Sequence, residues 1–273
     1  MKAPTLSGPL KESWERRLHA YGDSPRAVLM KGVPDCVNLT IDRWHRDVLH
    51  YALREWDGLS GALLDIGCGY GRLGGEAIAM GAKTLVGLDF SLGFCGRFAS
   101  RHGIAVCGDV LHLPFGNGSF NGAYAVTALM YLDAAKAREA LQALDACVVH
   151  GGRVLLLEPG AEFNTFVRWL LRRKTNDPLA RPGFTEDEFH RAIVPATWSA
   201  IATGSNVGMT TLFPLLLALA RIPPLYRLVE RLALRLDRPT QGRKPRRYRH
   251  VIYRWALYER QSPSGRGLRS TQT

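Results

Sequence analysis

The sequence predicts an α/β fold: a doubly wound, largely parallel sheet of seven strands with helices on both faces, preceded by N-terminal helices and carrying a helical insertion before the last strand. Two observations carry that expectation. Short apolar runs alternate with segments of helical period from about residue 62 onward, and such alternation builds a parallel sheet covered on both faces. The runs also end alike: Leu63–Ile66 opens into Gly67, Thr84–Leu88 into Asp89, and Ile104–Cys107 into Gly108 and Asp109. Sheets of this kind bind ligands beyond the carboxyl ends of their strands, where these glycines and acids fall.

The elements follow in order. Thr40–Trp56 places Ile41, Trp44, Val48, Leu49, Ala52, Leu53 and Trp56 on one face of a helix. Ala62–Ile66 reads as a short buried strand opening at Gly67, followed by a helix over Arg72–Met80 that Gly81 closes. Thr84–Leu88 is the second strand, Ser91 caps a helix running towards Gly103, Ile104–Cys107 is the third strand and Phe120–Val126 contains the fourth. Asp133 caps a helix with Ala137, Leu141, Leu144 and Val148 on one face, after which Gly151 and Gly152 turn the chain into the strand Arg153–Leu157.

Beyond Leu157 the alternation weakens. Phe163–Leu171 reads as helical, residues 175–183 as a loop, and Thr185 with Glu188 as a capping box opening a short helix. Ile193–Ala202 holds the sixth strand. The uncharged run Leu212–Ala220 and a helix after Pro223 and Pro224 form an apolar pair, the second helix carrying Leu225, Leu228, Val229, Leu232 and Leu236 on one side and Arg227, Glu230, Arg231 and Arg235 on the other. His250–Glu259 is the last strand, and the tail from Gln261, rich in Ser, Gly and Arg, reads as disordered. The expected organisation is an N-terminal helical cap over 1–60, a ligand-binding domain over 61–260 with its helical insertion at about 205–238, and the tail 261–273.

Composition bounds the function classes. Apolar residues make up 46% and charged residues 22% of 273, an ordinary globular balance that argues against a disordered or fibrous chain. The 36 Lys and Arg outnumber the 24 Asp and Glu, giving a formal net charge of +12, which favours phosphate-bearing molecules or an anionic membrane surface as partners. No apolar stretch is long enough to span a bilayer and the N-terminus lacks a signal's apolar core, so a cytoplasmic location is expected. Cys36, Cys68, Cys95, Cys107 and Cys147 are odd in number and form no Cys-x-x-Cys pair; neither a disulfide framework nor a metal site is expected.

The glycine turn carries the chemistry. In LLDIGCGYGR, residues 63–72, glycine lets backbone approach a ligand that any Cβ would repel, and Asp89 lies where a carboxylate can accept two ribose hydroxyl hydrogen bonds. Gly69, Gly71 and Gly74 also satisfy the dinucleotide pattern G-x-G-x-x-G, but Asp65 stands inside the strand where dinucleotide folds carry an apolar residue, and GDVLHLPF, residues 108–115, supplies a separate acid. The Asp-x-Gly-x-Gly-x-Gly turn, the acid after the second strand and the Gly-Asp…Leu-Pro-Phe loop together resemble the class I S-adenosylmethionine (SAM) dependent methyltransferases. The resemblance spans about Leu63 to Leu157 and departs at Asn121, where many relatives carry Asp.

That resemblance implies a Rossmann-like, mostly parallel seven-stranded sheet with an antiparallel last strand, and SAM as cofactor. It implies that Asp65 helps bind the amino group of SAM through the glycine loop, that Gly67, Gly69 and Gly71 shape the walls near its methionine moiety, and that Asp89 holds the ribose. Phe90 would pack on adenine, Asp109 and the Val110 backbone would meet its edge, and Thr127 would lie near the sulfonium. A general base is optional in this chemistry; His112 and Tyr131 are the leading candidates, with His190 and Tyr21 behind them.

The acceptor is less legible. Thr127-Ala128-Leu129-Met130 lacks the Asn/Asp-Pro-Pro-Tyr/Phe turn of exocyclic-amine methylation, and Cys68 is misplaced for attack on cytosine. The apolar helix pair between Leu212 and Leu236 suits a small apolar or lipid-like acceptor, with peripheral contact to an anionic membrane or lipid a further expectation. The basic stretch Arg243–Arg249 keeps an RNA methyltransferase as the alternative, and a non-catalytic SAM-binding regulatory protein is the third reading.

Overall fold

The computed structural model describes residues 8–54, 56–170, 181–239 and 249–262, without the side chains of 166–170. Most of the loop expected at 175–183, most of the basic stretch 243–249 and most of the tail lie outside the described residues. Two helices, α1 (Gly8–Tyr21) and α2 (Asp35–Leu53), precede β1 (Ala62–Ile66). Then follow α3 (Gly74–Ala79), β2 (Thr84–Asp89), α4 (Leu92–His102), β3 (Ile104–Cys107) and β4 (Phe120–Val126). The second half comprises α5 (Ala134–Cys147), β5 (Val148–Pro159), α6 (Ala161–Leu170), β6 (Trp198–Ser205), α7 (Val207–Leu219), α8 (Pro223–Leu236) and β7 (Tyr253–Arg260).

The strands form one seven-stranded sheet in the order β3-β2-β1-β4-β5-β7-β6. Neighbours from β3 to β5 are parallel, whereas β7 runs antiparallel to both β5 and β6. Side chains alternate across a strand, and here both alternating sets are apolar. Leu63, Leu85, Tyr124, Leu155, Leu157 and Trp255 enter one core with α2 and α8, while Leu64, Leu88, Ala123, Val154 and Leu156 enter a second with Ala137, Leu141 and Leu144 of α5. Burial on both faces is why the strands read as continuous apolar runs. The order reverses between β1 and β4, so the loops after β1, β2 and β4 converge on one crevice.

Several boundaries differ from the sequence expectation. The fifth strand starts at Val148, not Arg153, and Val148 pairs with Phe120 instead of closing a helix face. Gly151 (φ 75°) and the register shift between Phe120 and Gly122 mark an irregularity within one strand. The sixth strand begins only at Trp198, because Phe189 and Ile193 are spent on a buried helical turn packed against α5. The capping box forms: the Thr185 N–H and hydroxyl donate to Glu188 Oε2 at 2.8 and 2.9 Å.

The largest correction concerns α8. Its leucine side faces outward, with Leu225, Leu228, Leu232 and Leu236 respectively 47, 64, 49 and 54% exposed, while Tyr226, Val229, Glu230 and Ala233 are buried. The reason is a complementary polar contact with α2. Glu230 Oε1 accepts from Thr40 Oγ1 at 2.7 Å and Arg43 Nη1 at 2.6 Å, and Thr40 shares a 2.6 Å hydrogen bond with the Tyr226 hydroxyl. Asp237, just past α8, accepts two N–H groups in the first turn of α7, those of Gly208 and Met209, both at 2.6 Å, which supplies the cap that α7 lacks. No helix among the described residues is long and apolar enough to cross a membrane.

Candidate active site

The crevice is partly open to solvent, walled by the loops after β1, β2 and β4 and roofed by α1. The glycine turn makes its floor. Gly67 and Gly69 sit at φ 67° and 54°, where a side chain is strained. A Cβ on Gly67 would come within 2.5 Å of the Ala128 Cβ, so the turns after β1 and β4 meet only because this residue is glycine. Gly71 (φ 81°) does not line the crevice as expected. Its open side faces His102 and Phe98 of α4, where a Cβ would lie 2.6 Å from the His102 ring, and its carbonyl meets His102 Nε2 at 2.8 Å. Gly71 therefore fixes the turn against α4 and leaves the wall to Gly67, Gly69 and Tyr70.

Asp89 and Phe90 form the next wall. The Asp89 carboxylate accepts the Gly69 N–H at 3.0 Å and the Ser91 N–H at 2.9 Å, and burial pushes its pKa up to about 6 against the pull of those two donors. One bond to each side ties the glycine turn to the start of α4. Each carboxylate oxygen has a second acceptor site for a ligand.

Asp65 and Asp109 stand outside the residues that line the crevice. Asp65 lies beneath the glycine turn, where its carboxylate accepts the Tyr124 hydroxyl at 2.9 Å; burial raises its pKa to about 7, opposed by that hydrogen bond. Asp109 turns back on its own loop, Oδ1 accepting the Leu111 N–H at 3.0 Å, while Gly108 and Val110 on either side reach the crevice.

Thr127 lines the crevice with φ 57°, the one positive value at a non-glycine among the described residues. For a β-branched side chain this is a strained backbone. What holds it is Glu158, at the end of β5, which the sequence reading overlooked. Fully buried, Glu158 accepts the N–H groups of Ala128 (3.1 Å), Leu129 (2.8 Å) and Met130 (3.2 Å), and its burial raises the pKa to about 8 in spite of them. The signal was present in LLLEP, an acid ending an apolar run as Asp89 does.

The roof was also missed. Leu10 and Trp14 of α1 face the crevice, Trp14 standing edge-on to Phe94 (6.0 Å) and Tyr131 (5.6 Å). Glu15 anchors α1 by accepting the Ser91 hydroxyl at 2.7 Å. Of the general-base candidates Tyr131 lines the crevice, whereas His112 is exposed and outside it; His190 and Tyr21 do not line it either. Leu10, Tyr131 and Leu132 are shared with a second, more polar cleft that Leu111, Phe184, Lys136, Arg181 and Glu188 complete. No residue of α7 or α8 lines either space. Among the described residues no group of three or more His, Cys, Asp or Glu could hold a metal ion.

The crevice fits SAM on its own chemistry: a turn only glycine can make, a buried carboxylate bridging two strand ends, an aromatic beside it and an apolar roof. Residues 63–152 match the family described as methyltransferase domain. Comparison with curated proteins finds no match. Among solved structures, the chain is similar to geranyl diphosphate C-methyltransferase from Streptomyces coelicolor A3(2) in complex with S-adenosyl-L-homocysteine (SAH), with 15% identity, 94% of this chain and 100% of that one covered, and a TM-score of 0.56. Magnesium protoporphyrin IX methyltransferase from Synechocystis PCC 6803 with bound SAH gives 14% identity, coverage of 93% and 95%, and a TM-score of 0.55. The [4+2]-cyclase SpnF gives 15%, 93% and 94%, and 0.58. At these identities the likeness speaks for the fold.

Proposed function

We propose that this chain, whose residues 63–152 match a methyltransferase domain, is a class I SAM-dependent methyltransferase and methylates a small molecule with an apolar body and a polar end. The observation that carries this reading is the roof. With Trp14 set between Phe94 and Tyr131, the crevice is a covered space joined to a polar cleft through Leu10, Tyr131 and Leu132. A covered space of this kind suits a small acceptor better than a nucleic acid, which needs an open track along its backbone. The acceptor would lie across the shared residues, its apolar part against Leu111 and Phe184, its polar end towards Lys136, Arg181 and Glu188.

SAM, when bound, supplies an activated methyl on a sulfonium. The residues of this chain bind, orient and exclude water. Asp89 would take the ribose hydroxyls with its free acceptor sites, Phe90 would cover the adenine face, and Val110 would offer backbone to the ring edge. Gly67 and Gly69 would give the methionine portion access to bare backbone, with Asp65 and Tyr124 stiffening the turn from below. Thr127 would stand near the sulfonium, held there by the Glu158 contacts. Alignment of acceptor and methyl is the main demand on such an enzyme. Where the acceptor must lose a proton, Tyr131 is placed to take it, being the one general-base candidate that lines both spaces.

The test is methyl transfer from labelled SAM by the purified full chain into a fractionated cell extract. Label recovered in the small-molecule fraction, insensitive to ribonuclease and lost in Trp14→Ala, is the expected result. Label confined to ribonuclease-sensitive material would overturn the reading.

A further inference from the structure

Seven of the large apolar side chains most exposed to solvent fall on α7, α8 and the turn between them: Leu215, Leu217, Ile222, Leu225, Leu228, Leu232 and Leu236, from 39 to 64% exposed. Four are on α8 at spacings of three, four and four residues, which gathers them into one stripe along the helix. Monomeric proteins rarely leave such a stripe bare without a use for it. Its electrostatic setting narrows what could cover it. Arg227, Arg231 and Arg235 are exposed along the edge of the stripe, and Arg221 precedes it. α7 carries no charged residue, and the only acid within α8, Glu230, is turned inward onto Arg43 and Thr40. The exposed charge of this hairpin is thus of one sign.

We propose that the α7–α8 hairpin docks on an anionic lipid surface, the α8 leucines entering the acyl boundary and the arginines lying at the level of the headgroup phosphates. An outward leucine row bordered by cations, with the sole acid withdrawn, is the pattern of a helix lying in the plane of a membrane interface. Phosphate-bearing headgroups complement the arginine edge, and each such cation adds to binding. Because α8 is secured to α2 through its opposite side, it can present the leucines without unfolding.

The experiment is co-sedimentation of the full chain with phosphatidylcholine vesicles, with and without phosphatidylglycerol. Binding is expected only where the anionic lipid is present. Leu228→Ser with Leu232→Ser should weaken it about tenfold or more, since two half-exposed leucines lose their burial. Replacing Arg227, Arg231 and Arg235 by Gln should weaken it about tenfold to a hundredfold and remove its salt dependence. All of these positions face solvent, so unchanged SAH affinity by calorimetry would show each variant folded. Failure of the wild-type chain to sediment with anionic vesicles, or binding untouched by both sets of changes, would overturn the proposal. So would a concentration-dependent dimer that the leucine changes abolish in the absence of vesicle binding, which would assign the stripe to a second copy of the chain.

Discussion

Cofactor affinity should depend on pH through Asp89. The carboxylate is buried at the crevice wall and its pKa is pushed up to about 6 by burial, against the Gly69 and Ser91 N–H donors. In the proposed binding mode the ribose hydroxyls donate to the ionised form, so only the ionised fraction is competent to bind. With a pKa of about 6, roughly all of the protein is competent at about pH 7.5 and roughly a tenth at about pH 5, and apparent affinity scales with that fraction. The expected change is about a tenfold rise in Kd across that interval, or about 1.4 kcal/mol. Asp89→Asn should bind more weakly at about pH 7.5, by about tenfold or more, because an amide presents one acceptor oxygen where the carboxylate presents two. Its affinity should then be flat with pH. Isothermal titration calorimetry with SAH measures both, since the SAH amine does not titrate in this range. A wild-type affinity independent of pH over the interval, or a variant that retains the wild-type slope, would refute the argument.

Glu158 gives a stability prediction of defined sign. Its folded pKa of about 8 stands above its ordinary 4.5, so the folded state holds the proton longer and stability falls as pH rises from the ordinary value through about 8; Glu158→Gln should remove this contribution to the slope between about pH 5 and pH 8 in thermal melts, while costing about 1 to 3 kcal/mol because the amide nitrogen opposes a backbone N–H. Trp14→Ala should cost up to about 3 to 5 kcal/mol by chemical denaturation and weaken SAH binding, since it removes ring contacts with both Phe94 and Tyr131. Gly71→Ala should destabilise the chain by more than about 1 kcal/mol, from its φ of 81° and the 2.6 Å approach to His102; an unchanged denaturation midpoint would show that α4 yields freely.

How much of this was legible in the sequence follows from where the determining contacts lie. The first four strands were readable to within a residue because β1, β2 and β4 are apolar runs largely buried on both faces and β1, β2 and β3 run into glycine or an acid, so pattern and local structure coincide. The glycine turn and Asp89 were legible for the same reason. The face of α8 was not, because its choice is made with Thr40 and Arg43, about 190 residues away, whose donors offset the cost of burying the glutamate. That Asp109 folds back on its own loop was not legible either, because the Asx turn to Leu111 that takes one oxygen of its carboxylate is a choice of local geometry. Trp14 and Glu158 act on the crevice through contacts that span more than one element, and neither spacing nor period encodes such a meeting.

Thr127 has a consequence for the limits on improving this protein. A β-branched residue held at φ 57° carries roughly 1 to 3 kcal/mol of backbone strain, a sizeable share of the about 5 to 15 kcal/mol that separates a folded domain from its unfolded chain. Selection for heat resistance alone would replace it with glycine and recover part of that energy. The same exchange would loosen the wall that Glu158 clamps from behind and remove the threonine methyl and hydroxyl from the crevice. With the role proposed for Thr127, durability and catalytic fitness pull this one position in opposite directions, and a hardier variant selected without an activity screen should lose its threonine there early.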